Sequence, residues 1–375
     1  MRVNRLPRTA RVALACVLAL CLGLAAAQPP APASKTYYVG SVTSETGAPE
    51  PALLDLSLWD GGFAFARLQL PRRQEVLYGS GTLSDATALR LVFRRAEPGE
   101  DSWWAAELAR SAAAGESEAV ANEKVGVLTA ARDYDWDGEG RTIVGTLRLA
   151  TGEPLGVSLA RLASAARWTF EQGRVYSTTE LPRFHGRAEL TSFLEESTLP
   201  AQRSFARSGL ELEEEGALGW GWWREERVEI TGAAGPYLSL LSTVDDYTGG
   251  AHPNEYHASY LLSAAEGGVV ELALTDVFAG QGWLEELSRL VLDDLARQEA
   301  MWVTTGEVAA LGLEDLEVFT LDAAGLTFHF SPYLMGPYVQ GTFRVTLPYE
   351  AIGHLAVAGG PLGAFARGAW PEATR

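Results

Sequence analysis

The chain has 375 residues, 30 Lys+Arg against 48 Asp+Glu, and a formal charge of −18. Such a surface repels nucleic-acid phosphates and anionic lipid heads and draws in cationic partners, although acidity also serves solubility alone. The length is enough for two cored domains.

Residues 1–27 have the pattern of a secretory signal. Arg2, Arg5, Arg8 and Arg11 precede an apolar run at 12–24, and Ala25 and Ala27 supply the small residues of a cleavage site. The run is shorter than the roughly 20 residues that span a bilayer. The expectation is a mature chain beginning near Gln28, secreted or periplasmic, with no membrane span after cleavage; a retained anchor is the alternative. Both cysteines, Cys16 and Cys21, fall inside this segment. The mature chain then has no disulfide, no thiolate ligand and no cysteine nucleophile.

A Pro/Ala spacer follows at 28–35. Residues 36–164 hold short runs of strand length, several with apolar residues at every second position: Leu54, Leu56 and Leu58 share one face of LLDLSLW, and Asp55 and Ser57 the other. Nine such runs, at 37–42, 52–59, 63–70, 76–83, 88–95, 103–109, 124–131, 142–149 and 155–162, predict an antiparallel β domain, either a small barrel or a sandwich. Turn signals lie at Asp60-Gly61-Gly62, Pro98-Gly99 and Asp137-Gly138. The 109–123 stretch has no apolar rhythm and is expected to be a loop.

From 165 to 357 the pattern changes. A helix is expected at the start of ELTSFLEESTLPAQRSF. Leu284, Leu287, Val291 and Leu295 recur at helical spacing and predict a second helix over 283–300. Strands are expected at 219–230, 237–247, 255–263, 269–276, 316–322, 326–331 and 342–348. Irregular mixing of strands and helices indicates an α+β domain. Residues 358–375 form a tail.

The stretch VDDYTGGAHPNEYH (244–257) packs acids, a Gly-Gly pair, a Pro and two of the five histidines together. Its composition suits a hairpin connection in which Gly249-Gly250 adopts conformations closed to other residues and His252 bonds nearby backbone. A metal site would need His252 and His257 to converge with Asp245, Asp246 or Glu255, but the spacing matches no recognised ligand pattern. A hydrolase would need Ser239, Ser242 or Thr243 beside a histidine, yet the chain has no G-x-S-x-G elbow. No Gly-rich phosphate loop followed by Lys is present. No metal and no cofactor are expected. In GWGWW (219–223), Trp220 and Trp222 would share a strand face. They stack on glycan if exposed, or pack beneath a helix if buried. Glu211, Glu213, Glu214 and Glu215 suggest a solvated loop.

Three segments of the second half occur in a familiar order. They carry Tyr247-Thr248-Gly249-Gly250-Ala251-His252, Leu274-Thr275-Asp276-Val277-Phe278, the Phe-x-Phe-x-Pro-Tyr run at 328–333, and Leu347-Pro348-Tyr349. Over 165–357 the chain resembles the extracytoplasmic domains of unknown function of RsiV-like anti-sigma factors, which sense lysozyme, and of some peptidoglycan deacetylases. The resemblance implies an α+β envelope domain without established catalysis and, as partner, a cationic lysozyme-type protein or peptidoglycan. It departs from those proteins in having only eleven residues before the apolar run and no deacetylase domain after 357. Asp245, Asp246, Tyr247, Thr248, Gly249, Gly250 and His252, with Tyr333 and Tyr338, are the expected binding or structural motif, and no catalytic residue is assigned. The function expected is that of an exported non-enzymatic binding protein; an envelope hydrolase or metal-dependent enzyme is the alternative.

Overall fold

Period-two alternation builds the first half. In a computed structural model that describes residues 34–45, 47–84, 88–95, 126–134, 140–149, 154–265 and 268–368, eight strands pair in sequence order. They are β1 (Ser34–Thr43), β2 (Glu50–Leu58), β3 (Phe63–Leu70), β4 (Glu75–Ser84), β5 (Ala88–Arg95), β6 (Gly126–Tyr134), β7 (Gly140–Leu149) and β8 (Pro154–Gln172). Neighbours run antiparallel, and β1 pairs with β8 as well as β2, which closes a barrel. Of the two architectures expected, the barrel is the one formed. The inward face is a packed core in which Tyr38, Leu54, Leu91 and Phe93 interleave with Ala52, Ala64 and Ala66. Gly61 and Gly62 turn the chain between β2 and β3 at φ 87° and 79°. The expected signal at 1–27, strand at 103–109, loop at 109–123 and turns at 98–99 and 137–138 lie outside the described residues.

The second half is α+β, as its pattern predicts. β9 (Val175–Phe184) forms a hairpin with the far end of β8, and α1 (Ala188–Glu214) then crosses to β10 (Trp222–Ala234), parallel to β9. β11 (Tyr237–Tyr247), β12 (Asn254–Ala265) and β13 (Gly268–Leu272) complete the sheet as an antiparallel meander. Leu190 and Leu194 of α1 pack on Val228, Ile230 and Leu240 on one face. The other face carries α2 (Trp283–Arg297) and a small sheet of β14 (Phe319–Leu321), β15 (Leu326–Phe330) and β16 (Phe343–Leu347). There Leu287, Val291 and Leu295 meet Leu321, Phe328 and Val345. No helix among the described residues is long and apolar enough to cross a membrane.

Three local expectations change. The first helix, expected only at the start of its segment, runs through Pro200 for 27 residues. Proline removes an N–H and crowds the preceding turn, at a cost of about 3 kcal/mol in a helix interior. Buried Leu190, Leu194, Leu199 and Ala206 bind the helix to the sheet on both sides of it, and the Gln202 amide donates to the Trp168 and Ser177 carbonyls. Glu211, Glu213 and Glu214 therefore end a helix instead of forming a loop, and Glu213 accepts from the backbone N–H and side chain of Arg174. The strand expected over 269–276 gives way to a helical turn at Leu274–Val277, because the Asp276 carboxylate folds back to accept the Ala273 N–H at 2.8 Å.

β8 runs 19 residues, through the 164/165 boundary between the two expected domains. It pairs with β1 over Gly156–Ser164 and with β9 over Ala163–Gln172. The barrel's outer wall packs on the second sheet: Tyr37 and Leu53 join Leu181, Phe184 and Val228. Around this apolar contact, the Lys35 ammonium reaches Asp55 at 3.3 Å and also bonds Glu229 of β10. Arg67 pairs with Asp322 at 2.6 Å, and Gln69 donates to the Thr231 carbonyl at 2.6 Å. Burial pushes the Asp55 carboxyl up, whereas Lys35 holds that of Glu229 down to about 2. Lys35→Met should therefore leave Asp55 with an uncompensated charge and lower stability by about 3 kcal/mol. Chemical denaturation checks this, and the double variant Lys35→Met/Asp55→Leu should recover most of the loss.

Candidate functional site

β10, β11 and β12 lie side by side, so residues in register across them share a face. One row is Trp223 and Tyr247, the next is Glu225, Asp245 and Glu255, and the next is Arg227, Thr243 and His257. The second layer lies on this face. Asp245 and Asp246 are consecutive in β11 and so point to opposite sides.

On the α1 side, Asp246 accepts from Asn254 Nδ2 at 3.0 Å and from the Tyr256 hydroxyl at 3.2 Å. Tyr256 in turn takes a bond from Arg224, whose other arm donates to Glu226 at 3.0 Å. Ser242 donates to Glu226 at 2.8 Å. Arg224 and Glu226 are both buried, and this network pairs their charges while leaving Arg224 Nε without a partner. Sequence reasoning missed it. The alternation in WWREERVEI places both residues on the same face as Val228 and Ile230, which is the available signal, but charged residues on a strand ordinarily face water.

On the opposite side, the 248–253 connection meets the segment after β15. The chain turns at Gly249 and Gly250, with φ 105° and 114°. Thr248 is exposed, and the Tyr247 hydroxyl donates to the Gly250 carbonyl at 3.0 Å. The block is thus a hairpin connection between β11 and β12. His252 is half-buried and stacks on Tyr338, with ring centroids 3.7 Å apart and planes 17° apart. Its Nδ1 donates to the Pro253 carbonyl at 2.8 Å, which leaves Nε2 to accept the Tyr333 hydroxyl at 3.2 Å. The Tyr338 hydroxyl donates to the same carbonyl at 3.0 Å. The structure therefore brings together His252, Tyr333 and Tyr338, which are far apart in sequence. Tyr333 is exposed and has φ 69°, a conformation that costs a non-glycine residue energy. Leu334, Val339 and Met301 are also exposed, on the same loop and the helical turn it bonds to.

Asp245 and Glu255 lie beside this cluster. Burial raises both carboxyls; Arg227 opposes the rise at Asp245, and Asp245 adds to it at Glu255. Burial also raises the Tyr338 phenol, with further upward pushes from Glu255 and Asp245. The Trp pair separates. Trp220 is 70% exposed, whereas Trp222 packs against Phe205 of α1 with centroids 5.5 Å apart. Trp222 takes the buried role, and Trp220 stands in the loop before β10. Trp223, which the sequence did not single out, stacks on Tyr247.

His257 does not join His252. It stacks on His329 of β15 across the layers, 6.0 Å between centroids, and its Nδ1 lies 3.2 Å from Ser331 Oγ. His329 Nε2 meets Thr320 Oγ1 at 2.8 Å, while its Nδ1 is buried without a partner. Burial and the nearby Arg344 push His257 down to about 4 and hold His329 well below the usual imidazole range. Ser331, His257 and Glu255 have the residue types of a charge relay. However, Glu255 lies 3.6 Å from the ring, and Ser331 Oγ already accepts the His257 backbone N–H at 3.0 Å. Among the described residues, no group of three or more His, Cys, Asp or Glu gathers to hold a metal ion.

Residues 275–350 match the DUF3298 family, proteins of unknown function. The matched segment contains α2, the second layer, Tyr333 and Tyr338; His252 and the acids of β11 and β12 precede it. A DUF3298 family member from Bacteroides fragilis NCTC 9343, known from a crystal structure, is 16% identical, with TM-score 0.38 over 54% of this chain and 95% of that one. A DUF3298 family protein from Pseudomonas aeruginosa PAO1 is 14% identical, with TM-score 0.41 over 52% of this chain and 93% of that one. No curated protein matches the chain.

Two outcomes follow from this geometry. Gly249→Val and Gly250→Val should each cost about 1–3 kcal/mol, because a β-branched residue is strained at these angles; thermal unfolding checks this. The histidine pair should make the fold acid-sensitive. An imidazole with a lowered folded pKa favours the folded state fully above the unfolded value of about 6.5, and this support fades as pH falls toward 4. The raised carboxyls of Asp245 and Glu255 act with the opposite sign, favouring the folded state as they protonate. The loss should therefore show first between about pH 6.5 and 4.5, on the order of 3 kcal/mol at most from His257. Melting curves across that range should flatten in His257→Gln.

Proposed function

We propose that this is an exported, non-enzymatic binding protein of the cell envelope whose second half recognises a cationic protein. The observation that carries the proposal is the surface formed by Tyr333, Leu334 and Val339. These exposed side chains sit on a loop fastened through His252, Tyr338 and the Pro253 carbonyl, with Asp245 and Glu255 alongside. Rigid aromatic and aliphatic side chains rimmed by charge suit a protein interface, and ordering the loop beforehand lowers the cost of binding. The net charge of −18 would speed the arrival of a basic partner. The signal-like 1–27 segment supports export. The resemblance to RsiV-like domains makes a lysozyme-type muramidase the first candidate, with the barrel serving as spacer or second surface.

The runner-up is an envelope hydrolase, favoured by the nearness of Ser331, His257 and Glu255. Titration of the mature chain with lysozyme, and with a second small basic protein, at low and high salt separates the readings. Specific docking should persist at high salt, where the Debye length shrinks to about 3 Å near 1 M. It should weaken by about 2 kcal/mol in Tyr333→Ala. Equal binding of both proteins at low salt, lost for both at high salt, would defeat the partner assignment. Hydrolysis of cell-wall material that disappears in Ser331→Ala would establish the runner-up instead.

A further inference from the structure

The sheet face that carries the second layer is occupied in two places. The second layer bonds to it at Ser239, Ser259 and His257, and the barrel reaches it at Glu229. Trp223 and Glu225 lie at the other end of β10. There Tyr176 of β9, Trp223 of β10 and Tyr247 of β11 stand in register on three adjacent strands, and all three are half-buried. The next row on the same face is Thr178, Glu225 and Asp245. We propose that this end of the sheet binds an oligosaccharide of amino sugars, with its ring faces against the aromatic row and an ammonium group at Glu225.

Adjacent strands lie about 4.8 Å apart, close to the advance of one sugar along an extended β-linked chain, so rings in one register form a line of stacking surfaces across the strands. Trp223 and Tyr247 have centroids 6.5 Å apart and planes 26° apart, near-parallel rings too widely spaced for either to cover the other. The Tyr247 hydroxyl donates to the Gly250 carbonyl at 3.0 Å, which holds that ring in place. Trp220, 70% exposed in the loop before β10, adds a further ring at the same rim. Glu225 distinguishes this surface from a plain apolar patch. It is half-buried and, among the described residues, makes no hydrogen bond or ion pair. The cations of the following row are already taken: Arg227 pairs with Asp245 at 3.6 Å, and Arg167 with Glu180 at 2.7 Å. Burial holds the Asp245 carboxyl up, and Glu225 adds to the rise against the pull of Arg227. A half-buried carboxylate without a donor is costly, and a ligand ammonium or hydroxyl relieves that cost. An ammonium beside Trp223 also gains from the electron-rich face of the indole. An amino sugar meets both demands at once, offering a C–H face to the rings and donors to Glu225, Asp245 and the Thr178 hydroxyl. The site does not rest on the cationic-protein reading, whose surface is centred on Tyr333.

Calorimetric titration of the full chain tests this with four probes: the β-1,4-linked tetramer of glucosamine, its fully N-acetylated form, cellotetraose and tetralysine. The glucosamine tetramer should bind about tenfold more tightly than the acetylated and neutral tetramers, which keep the ring faces and lack the ammonium, and than tetralysine, which has the charge and lacks the rings. Trp223→Ala should weaken it by about tenfold or more. Glu225→Gln removes a charge that has no partner, so the fold should keep its melting temperature while the glucosamine tetramer falls to the level of cellotetraose. Tyr333→Ala should leave its binding unchanged, which separates this site from the protein-docking surface. No heat with the glucosamine tetramer, acetylated tetramer or tetralysine binding as tightly, full affinity in Trp223→Ala or in Glu225→Gln, or loss in Tyr333→Ala would each overturn the proposal.

Discussion

One strand belongs to both halves of the molecule, and the remaining architecture depends on it. β8 closes the barrel along β1 and then, without a break, opens the second sheet along β9. A barrel stave that continues into a neighbouring sheet fixes the relative rotation of the two halves through backbone hydrogen bonds, which a flexible linker would leave free. Side chains then have to suit that geometry. Tyr37 and Tyr38 show how: adjacent in β1, they point to opposite faces, so Tyr38 enters the barrel core and Tyr37 the core beneath α1. A register slip of one residue would exchange them.

The seam buries charge as well as apolar surface, which needs a reason because a buried ion pair seldom adds net stability over an apolar contact. Here the charges discriminate between alternatives. Lys35 is satisfied only if β1, β2 and β10 bring Asp55 and Glu229 to it together. Arg67 and Gln69 both reach Thr231 at the bulge of β10, and the Gln69 side-chain oxygen Oε1 accepts the Ala323 N–H. Any other docking strands these groups without partners. The aligned arrangement is thereby selected against its neighbours, independently of how much it gains over the unfolded chain.

The sequence carries some of this plainly and conceals the rest. Strands with one wet face, such as β2, announce themselves by Leu54, Leu56 and Leu58. The closure of β1 on β8 does not, because pairing across more than a hundred residues leaves no local pattern. A helix was legible only at the start of its segment, and burial on both sides of Pro200 carries it through that proline. Leu274–Val277 resembled the end of a strand by composition, and a single carboxylate turned it into a helical turn. At the candidate site, the glycines and His252 stood out by their chemistry, whereas Tyr333 and Tyr338 were singled out only through the resemblance. No periodicity in 331–341 predicts that these rings close on a histidine some eighty residues earlier. Asp245 and Asp246 looked like one acidic pair, and strand alternation separates them into two environments.

The second layer explains why those rings are displayed and not buried. The short strand β14 lies across the larger sheet, and its outer N–H groups find side-chain oxygens: Leu321 donates to Ser239 Oγ and Phe319 to Ser259 Oγ, at 2.8 and 3.0 Å. Ser331 does the same service for the His257 N–H. Serine is short enough to hold two layers in close contact while satisfying backbone that would otherwise be stranded between them. With β14 and β15 pinned this way, the chain leaves the interface at Ser331 and must cross the rim of the sheet before β16 returns. The loop that makes this crossing is closed from below by His252 and the Pro253 carbonyl, so its inner atoms have partners and its outer side chains have none. The loop is ordered from beneath and apolar on top, and the same serines that seal the layers determine where it lies on the surface.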